Sequence, residues 1–162
     1  MNERIQFCQV CGQGLVDRTI DGRPRRHCDD CGLTVFLDPK VAAVVLALVG
    51  GKLVMVKRGM EPQIGRWAFP SGFVDRGEAV EDAAVREFKE ETGLDARLEQ
   101  LIGVYSATGS PVVLVVYKAE VVGGTLQAGH DAADTALFDL DRLPDLPFPH
   151  DDQILADWKA LR

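Results

Sequence analysis

The chain contains no apolar run of the roughly twenty residues that a membrane-spanning helix needs. Its first ten residues, MNERIQFCQV, lack the basic and apolar regions of a secretory leader. Both absences lead to the expectation of a cytoplasmic protein with no membrane partner. Positive charge is scarce as well: 18 Lys and Arg stand against 25 Asp and Glu, a net charge of −7. The pI near 4.9 is the reverse of a nucleic-acid-binding footprint, so nucleic acid is not an expected partner. Cysteine is confined to four residues, all within two Cys-x-x-Cys-Gly turns, which argues against a disulfide-stapled secreted scaffold. Internal repeats and low-complexity tracts are absent. What remains is 162 residues, 46% of them hydrophobic: enough core for one ordinary domain plus a small appendage, and too little chain for two full-size domains.

The appendage is the N-terminal stretch. Cys8, Cys11, Cys28 and Cys31 form CQVCG and CDDCG, with sixteen residues between the inner pair. Each tight turn can deliver two sulfurs, and an intervening hairpin can bring the pairs together around a tetrahedral Zn²⁺. This is the spacing of a zinc ribbon, a closed structural site that folds a segment too short for its own core. Residues 1–36 are assigned to it and 37–162 to the main domain. His27 reads as a loop residue rather than a substitute ligand, since four cysteines are available, and Arg23-Pro24-Arg25-Arg26 as a solvated basic turn. Residues 1–34 carry five acidic and five basic side chains, so the whole charge of −7 belongs to the remainder.

That remainder opens with VAAVVLALV, Gly50-Gly51 and KLVMVKR, two apolar strands around a tight turn. The first is apolar on both faces and is expected at the centre of a sheet. Lys57 and Arg58 close the second, where they can meet an anionic substrate or solvent. An irregular stretch then leads to a short strand at Trp67–Phe69. These two aromatics are candidates for stacking on a base, against the alternative of core packing. ARLEQLIGVYSAT and VVLVVYKAEVV read as two further strands around Gly109-Ser110-Pro111. A late strand lies in HDAADTALFDLDRLP. Finally, Ile154, Leu155, Trp158 and Leu161 fall at helical spacing, a stripe explained by core packing. His150 before it reads as a loop residue.

The densest signal is Gly72–Leu94, GFVDRGEAVEDAAVREFKEETGL. A helix is expected from about Glu78 to Thr92, ending at Gly93, the residue type favoured just past a helix end. At 3.6 residues per turn, Glu87, Glu90 and Glu91 share an arc of about 100°. Val80, Ala83 and Ala84 lie on or beside the same arc, so three acids occupy the stripe that should face a core. Ionised carboxylates are almost never buried without a partner. A solvated acidic face is the plain alternative, whereas a hard divalent ion accepts oxygen ligands of this kind.

The spacing glycine, five residues, Glu, seven residues, Arg-Glu-apolar-x-Glu-Glu-x-Gly-apolar runs through Gly72, Glu78, Arg86, Glu87, Phe88, Glu90, Glu91, Gly93 and Leu94. In this the chain resembles the Nudix hydrolases, and its element order from Val41 to about Leu161 suits such a domain. The resemblance implies an α/β (α+β) architecture, an α/β/α sandwich carrying the small ribbon. It implies hydrolysis of a nucleoside diphosphate linked to a second group, with Mg²⁺ or Mn²⁺ held by Glu87, Glu90, Glu91 and the carbonyl of Ser71. Gly72, Glu78 and Arg86 take supporting roles. The general base is sought in Glu90 and Glu91, then in Asp134, with Asp131 the neighbouring candidate on the late strand. Ribbon plus box is similar to the NADH pyrophosphatases and to a smaller group acting on ADP-ribose and FAD. The Ser-Gln-Pro-Trp-Pro-Phe-Pro array of the former is absent, so ADP-ribose or FAD is the expected substrate and homodimerisation a possible property. The rival readings are a nucleoside triphosphate sanitising pyrophosphohydrolase and a non-catalytic sensor of ADP-ribose-like ligands.

Overall fold

A computed structural model describes residues 5–129 and 131–161. The first four residues of the expected ribbon, His130 at the head of the expected late strand, and Arg162 lie outside the described residues. The chain forms two compact units, Met1–Asp38 and Pro39–Arg162.

In the first unit, β1 (Val16–Ile20) and β2 (Arg23–His27) pair as an antiparallel hairpin. The cysteines sit on two turns of matching design. Gly12 donates its backbone N–H to the Cys8 carbonyl and Gly32 donates to Cys28, each at 2.9 Å. Both glycines adopt left-handed backbone, φ 76° and 75°, where a side chain would be strained. All four sulfurs lie within 4.8 Å of one another. Among the described residues, Leu15, with Ile5, Leu33 and Val35 around it, supports the buried Cys8 and Cys28. Two expectations are corrected here. Arg23-Pro24-Arg25-Arg26 is strand β2 rather than a turn, since a two-stranded ribbon has free edges that tolerate a proline. His27 ends that strand instead of lying in a loop, its Nδ1 3.0 Å from Thr34 Oγ1.

The second unit is a seven-stranded mixed sheet with a helix on each face. Its strands are β3 (Lys40–Val49), β4 (Lys52–Arg58), β5 (Trp67–Ala68), β6 (Ser71–Phe73), β7 (Leu94–Ser106), β8 (Val112–Gly124) and β9 (Ala132–Phe138). The helices are α1 (Val80–Thr92) and α2 (Asp151–Ala160). Strand β3 is central, and its alternation divides the molecule. Ala43, Val45 and Ala47 join Ala83, Ala84 and Phe88 of α1 in one core. Val44 and Leu46 join Ile154 and Trp158 of α2 in the other. A period-two strand with both faces apolar can serve two helices at once.

One feature of the sheet creates the site. β3 and β4 pair only next to their Gly50-Gly51 turn, at Leu48–Leu53 and Val49–Lys52. Beyond that point they splay, and Trp67–Phe73 enters between them. Trp67 and Ala68 pair with β4, while Ser71, Gly72 and Phe73 pair with Val44, Ala43 and Ala42 of β3. β8 runs parallel to the other edge of β3, and β9 antiparallel to β4.

The expected α2 stripe needs one amendment: Ile154 and Trp158 are buried, but Leu161 lies past the helix end and is exposed. Phe88→Ala should therefore cost about 3–5 kcal/mol of stability in urea unfolding, from lost burial plus the cavity left under α1. Leu161→Ala should stay within about 0.5 kcal/mol of wild type in the same assay.

Candidate functional site

α1 starts without a side-chain cap, because Ala79 occupies the N-cap. The turn before it compensates. Glu78 accepts the Asp75 backbone N–H at 3.0 Å, and its carboxylate receives Nε and Nη2 of Arg86 at 2.8 and 2.9 Å. This two-point pair ties the entry of the helix to its second turn. It also holds the Glu78 carboxyl down from 4.5 to about 2, the Arg86 hydrogen bond being the main cause and the Asp75 amide the next. Arg86 reaches further, with Nη1 at 2.7 Å from Glu87 and 3.4 Å from Glu90, and Nη2 donating to the Phe73 carbonyl. A single arginine thus contacts three of the motif's acids, an arrangement that sequence position on the helix did not reveal. At the other end, Gly93 closes α1 in left-handed conformation, φ 72°, donating to the Lys89 carbonyl.

The three acids of the shared face are not equivalent. Glu91 is buried, Glu87 leaves 14% of its side-chain surface exposed and Glu90 leaves 38%. Glu91 accepts the Ser71 backbone N–H at 2.8 Å. Its carboxyl is nonetheless pushed up to about 8: burial is the largest cause, Glu87 and Asp131 add to it, and the Ser71 amide and Arg58 oppose it. Gly72 lies directly against the carboxylate of Glu87, so that a Cβ there would overlap it. The backbone of β6 and the acids of α1 are therefore in contact on both sides of Gly72.

These groups line a cleft of about 660 Å³. Glu87, Glu90, Glu91, Ser71 and Gly72 are brought together there, along with Arg58 and Asp131. The late strand needs a correction. Asp134 does not line the cleft; it is exposed on β9 opposite Lys57, with its Oδ1 accepting the Thr135 N–H. Asp131, three residues earlier, faces the cleft. Lys57 is likewise outside it. The proposed base-stacking pair also changes role: Trp67 packs edge-on against Phe138, centroids 4.9 Å apart, and Phe69 is buried in the α2-side core. Both pack on the α2-side core, Phe69 fully and Trp67 in part, because β5 pairs with β4 as part of the sheet and turns these side chains towards α2. His150 is a loop residue, as expected, in the turn before α2. It lines the cleft just ahead of α2, together with Phe148, Pro149 and Asp151. No local pattern marks that segment as part of the site, since only the packing of α2 on the sheet carries it there.

The donor set suits a hard divalent cation. The acids and the Ser71 carbonyl offer oxygen only, and burial, with Glu87 and Asp131 adding to it, disfavours the charged form of Glu91, so that positive charge entering the cleft would stabilise it. The four ribbon thiols suit a soft tetrahedral ion by the same argument. Cys8 is lowered from 9.0 to about 6, chiefly by the Cys11 and Val10 amides. For Cys11 the Gln13 amide pulls downward, but Cys28, burial and the other thiols together push it up to about 12.

Two measurements check this geometry. Gly72→Ala should leave the fold intact, because the obstructing atoms end a flexible side chain, while displacing Glu87 and lowering activity by ~10-fold or more. In a carboxyl NMR titration Glu78 should stay ionised until the pH nears 2. Its folded value lies below the ordinary one, so its stabilising contribution is complete above pH 4.5 and is lost as the pH falls towards 2. Arg86→Met should return that titration towards 4.5.

The NUDIX domain profile matches residues 38–158. Among relatives, an ADP-ribose pyrophosphatase of Methanocaldococcus jannaschii is 41% identical over 128 residues, covering 76% of this chain and 75% of the relative. A NAD-capped RNA hydrolase, NudC, of Pseudomonas aeruginosa is 31% identical over 144 residues, 88% of this chain but only 50% of that protein. The chain thus spans about half the length of the NudC relatives it matches. In structure it resembles a NUDIX hydrolase from Nitrosomonas europaea, with TM-score 0.90, 26% identity, and coverage of 98% of this chain and 92% of the other. An ADP-ribose pyrophosphatase from Streptococcus suis gives TM-score 0.66 at 26% identity, covering 76% and 92%. With its helix acids, its inserted glycine strand and its two-faced sheet in agreement with these likenesses, the chain belongs to the Nudix hydrolase family.

Proposed function

We propose that the chain is a divalent-metal-dependent pyrophosphohydrolase that cleaves the diphosphate of ADP-ribose or FAD and releases AMP. One observation carries this reading: a cleft of about 660 Å³ gathers Glu87, Glu90, Glu91 and Asp131 with two arginines, Arg58 and Arg86, and Arg86 is already paired with Glu87 and Glu90. A volume of that order suits a nucleotide-sized ligand. The 41% identity to an ADP-ribose pyrophosphatase favours ADP-ribose among nucleoside diphosphate compounds.

Glu87, Glu90, Glu91 and the Ser71 carbonyl are the groups that would hold Mg²⁺ or Mn²⁺. Bound there, such an ion neutralises phosphate oxygens and lowers the pKa of the attacking water. The chain's own groups do the rest. Glu90, the most open of the three acids, takes the proton from water, with Asp131 as the second acid within the cleft. The water oxygen bonds to one phosphorus, the bridging P–O–P bond breaks, and its electrons remain on the departing phosphate. Arg58 offsets charge on the diphosphate. Arg86 and Glu78 act by position, keeping the α1 entry and Glu87 in place. In the N-terminal unit, Cys8, Cys11, Cys28 and Cys31 hold structural Zn²⁺, and their thiolates suit a reducing, cytoplasmic setting.

Incubation with Mg²⁺ and a panel of ADP-ribose, FAD, NADH and nucleoside triphosphates should yield AMP from the first two. Cleavage of triphosphates alone would replace this reading with that of a nucleotide-pool sanitising enzyme; binding of ADP-ribose with no turnover would replace it with a sensor. Glu90→Gln should lower kcat by ~100-fold or more with the thermal transition unchanged, and an active variant would remove Glu90 from the chemistry. Stripping zinc with a strong chelator should abolish the amide dispersion of residues 5–38 in NMR spectra, since their core contains little beyond Leu15 and two cysteines.

A further inference from the structure

Two of the groups that line the cleft lie against each other, and one of them, Phe148, has no part in the metal and phosphate chemistry. The guanidinium of Arg58 lies over the ring of Phe148, 5.2 Å from its centroid. Its plane is held, because Nε donates to the Pro62 carbonyl at 2.6 Å. The loop that supplies Pro62 is itself closed: Arg58 N–H donates to Arg66, Gly65 N–H to Arg58, and Gly59 N–H to Asp131. Phe148 is only partly buried and belongs to neither core cluster. Met60, half exposed, and Pro62 line the same cleft. A large aromatic ring presented to a cleft, outside both cores and ordered by a fixed cation, is costly to leave uncovered unless a ligand uses it.

Of the other aromatics of the cleft, Phe69 is buried within the core, and Phe73, though exposed, carries the Lys40 ammonium over its ring at 4.9 Å, a point charge with no flat face for a base to stack on. Arg58 lines the cleft with Glu91, and the residue after it, Gly59, donates its N–H to the Asp131 carbonyl. The Arg58–Phe148 stack therefore shares one cleft with the acids. A nucleotide likewise joins phosphate to a flat base through its ribose.

We propose that Arg58 and Phe148, with Met60 and Pro62 at the sides, form the slot for the adenine ring of the substrate. The base extends the existing Arg58–Phe148 stack, while the diphosphate stays with the acids. Arg58 thus serves twice, its charge towards the phosphates and its flat face towards the base, which a lysine cannot do. This rests on the diphosphate-cleaving reading above and adds to it the part of the cleft that selects the nucleobase half of the substrate.

AMP and ribose 5-phosphate share a ribose and a phosphate and differ by the adenine, so their binding isolates the slot. Calorimetry on the full chain in Mg²⁺ should show AMP bound more tightly than ribose 5-phosphate by the wild type. Phe148→Leu keeps apolar bulk, and the backbone cap from Phe148 N–H to Asp151 does not use its ring. That variant should weaken AMP by roughly tenfold or more, the scale of losing one base–aromatic stack, and leave ribose 5-phosphate unchanged. Its KM for ADP-ribose should rise while kcat holds. Arg58→Lys should lose AMP affinity as well, despite keeping the charge. The slot is overturned if Phe148→Leu binds AMP as the wild type does, or if Phe73→Leu rather than Phe148→Leu loses AMP. Hydrolysis of ADP-ribose with unaltered KM in Phe148→Leu rejects the slot alone, whereas a wild type that hydrolyses no diphosphate substrate rejects the proposed function.

Discussion

The site depends on the close approach of one backbone segment to one helix face. Ser71 gives its amide to Glu91, and Gly72 accepts the Glu87 carboxylate against its α-carbon. Neither contact is available to a strand that simply continues a β3–β4 hairpin. The splay of those two strands admits Trp67–Phe73 between them, so that β6 pairs with β3 and stands over the carboxyl-bearing turns of α1. Glycine at 72 is a requirement of that distance, and any side chain would take up the space in which the carboxylate sits.

Charge is arranged around this contact in a graded way. Glu78 is fully engaged by Arg86 and its carboxyl is held well below the usual range. Glu91 is buried among other acids and is pushed far above it. Carboxyls of one local structure are thus driven in opposite directions, one by a paired guanidinium and the other by desolvation. The first fixes the helix entry, and the second marks the place where an added cation has the most to stabilise. Arg86 links the two, because it also touches Glu87 and Glu90.

Much of the fold was legible because it depends on local periodicity. The two-faced apolar run of β3, the Gly50-Gly51 turn, the stop at Gly93 and the α2 stripe through Ile154 and Trp158 each follow from spacing within a single element. Reading was poorer where an element's surroundings decide its role. Trp67 and Phe69 have the look of base-stacking residues, yet the segment joins the sheet beside β4 and they pack on the α2-side core. Asp134 matches the late-strand pattern, yet Asp131 is the acid that enters the cleft, because β9 presents 134 to solvent. Leu161 has helical spacing, yet the helix ends before it can be buried.

The sequence by itself determined the family, the acids of α1, the need for glycine at 72 and the cysteine quartet. Each is specified by residue type at short, fixed separation, and the geometry of a helix or a knuckle turn converts such spacing directly into proximity. Tertiary structure alone decided how the acids differ, which late-strand acid joins them, and that Arg58 meets Phe148 across ninety residues of chain. Those relations depend on which strands splay and where α2 lands on the sheet. They arise from packing between elements far apart in sequence, and no spacing rule within one element encodes them.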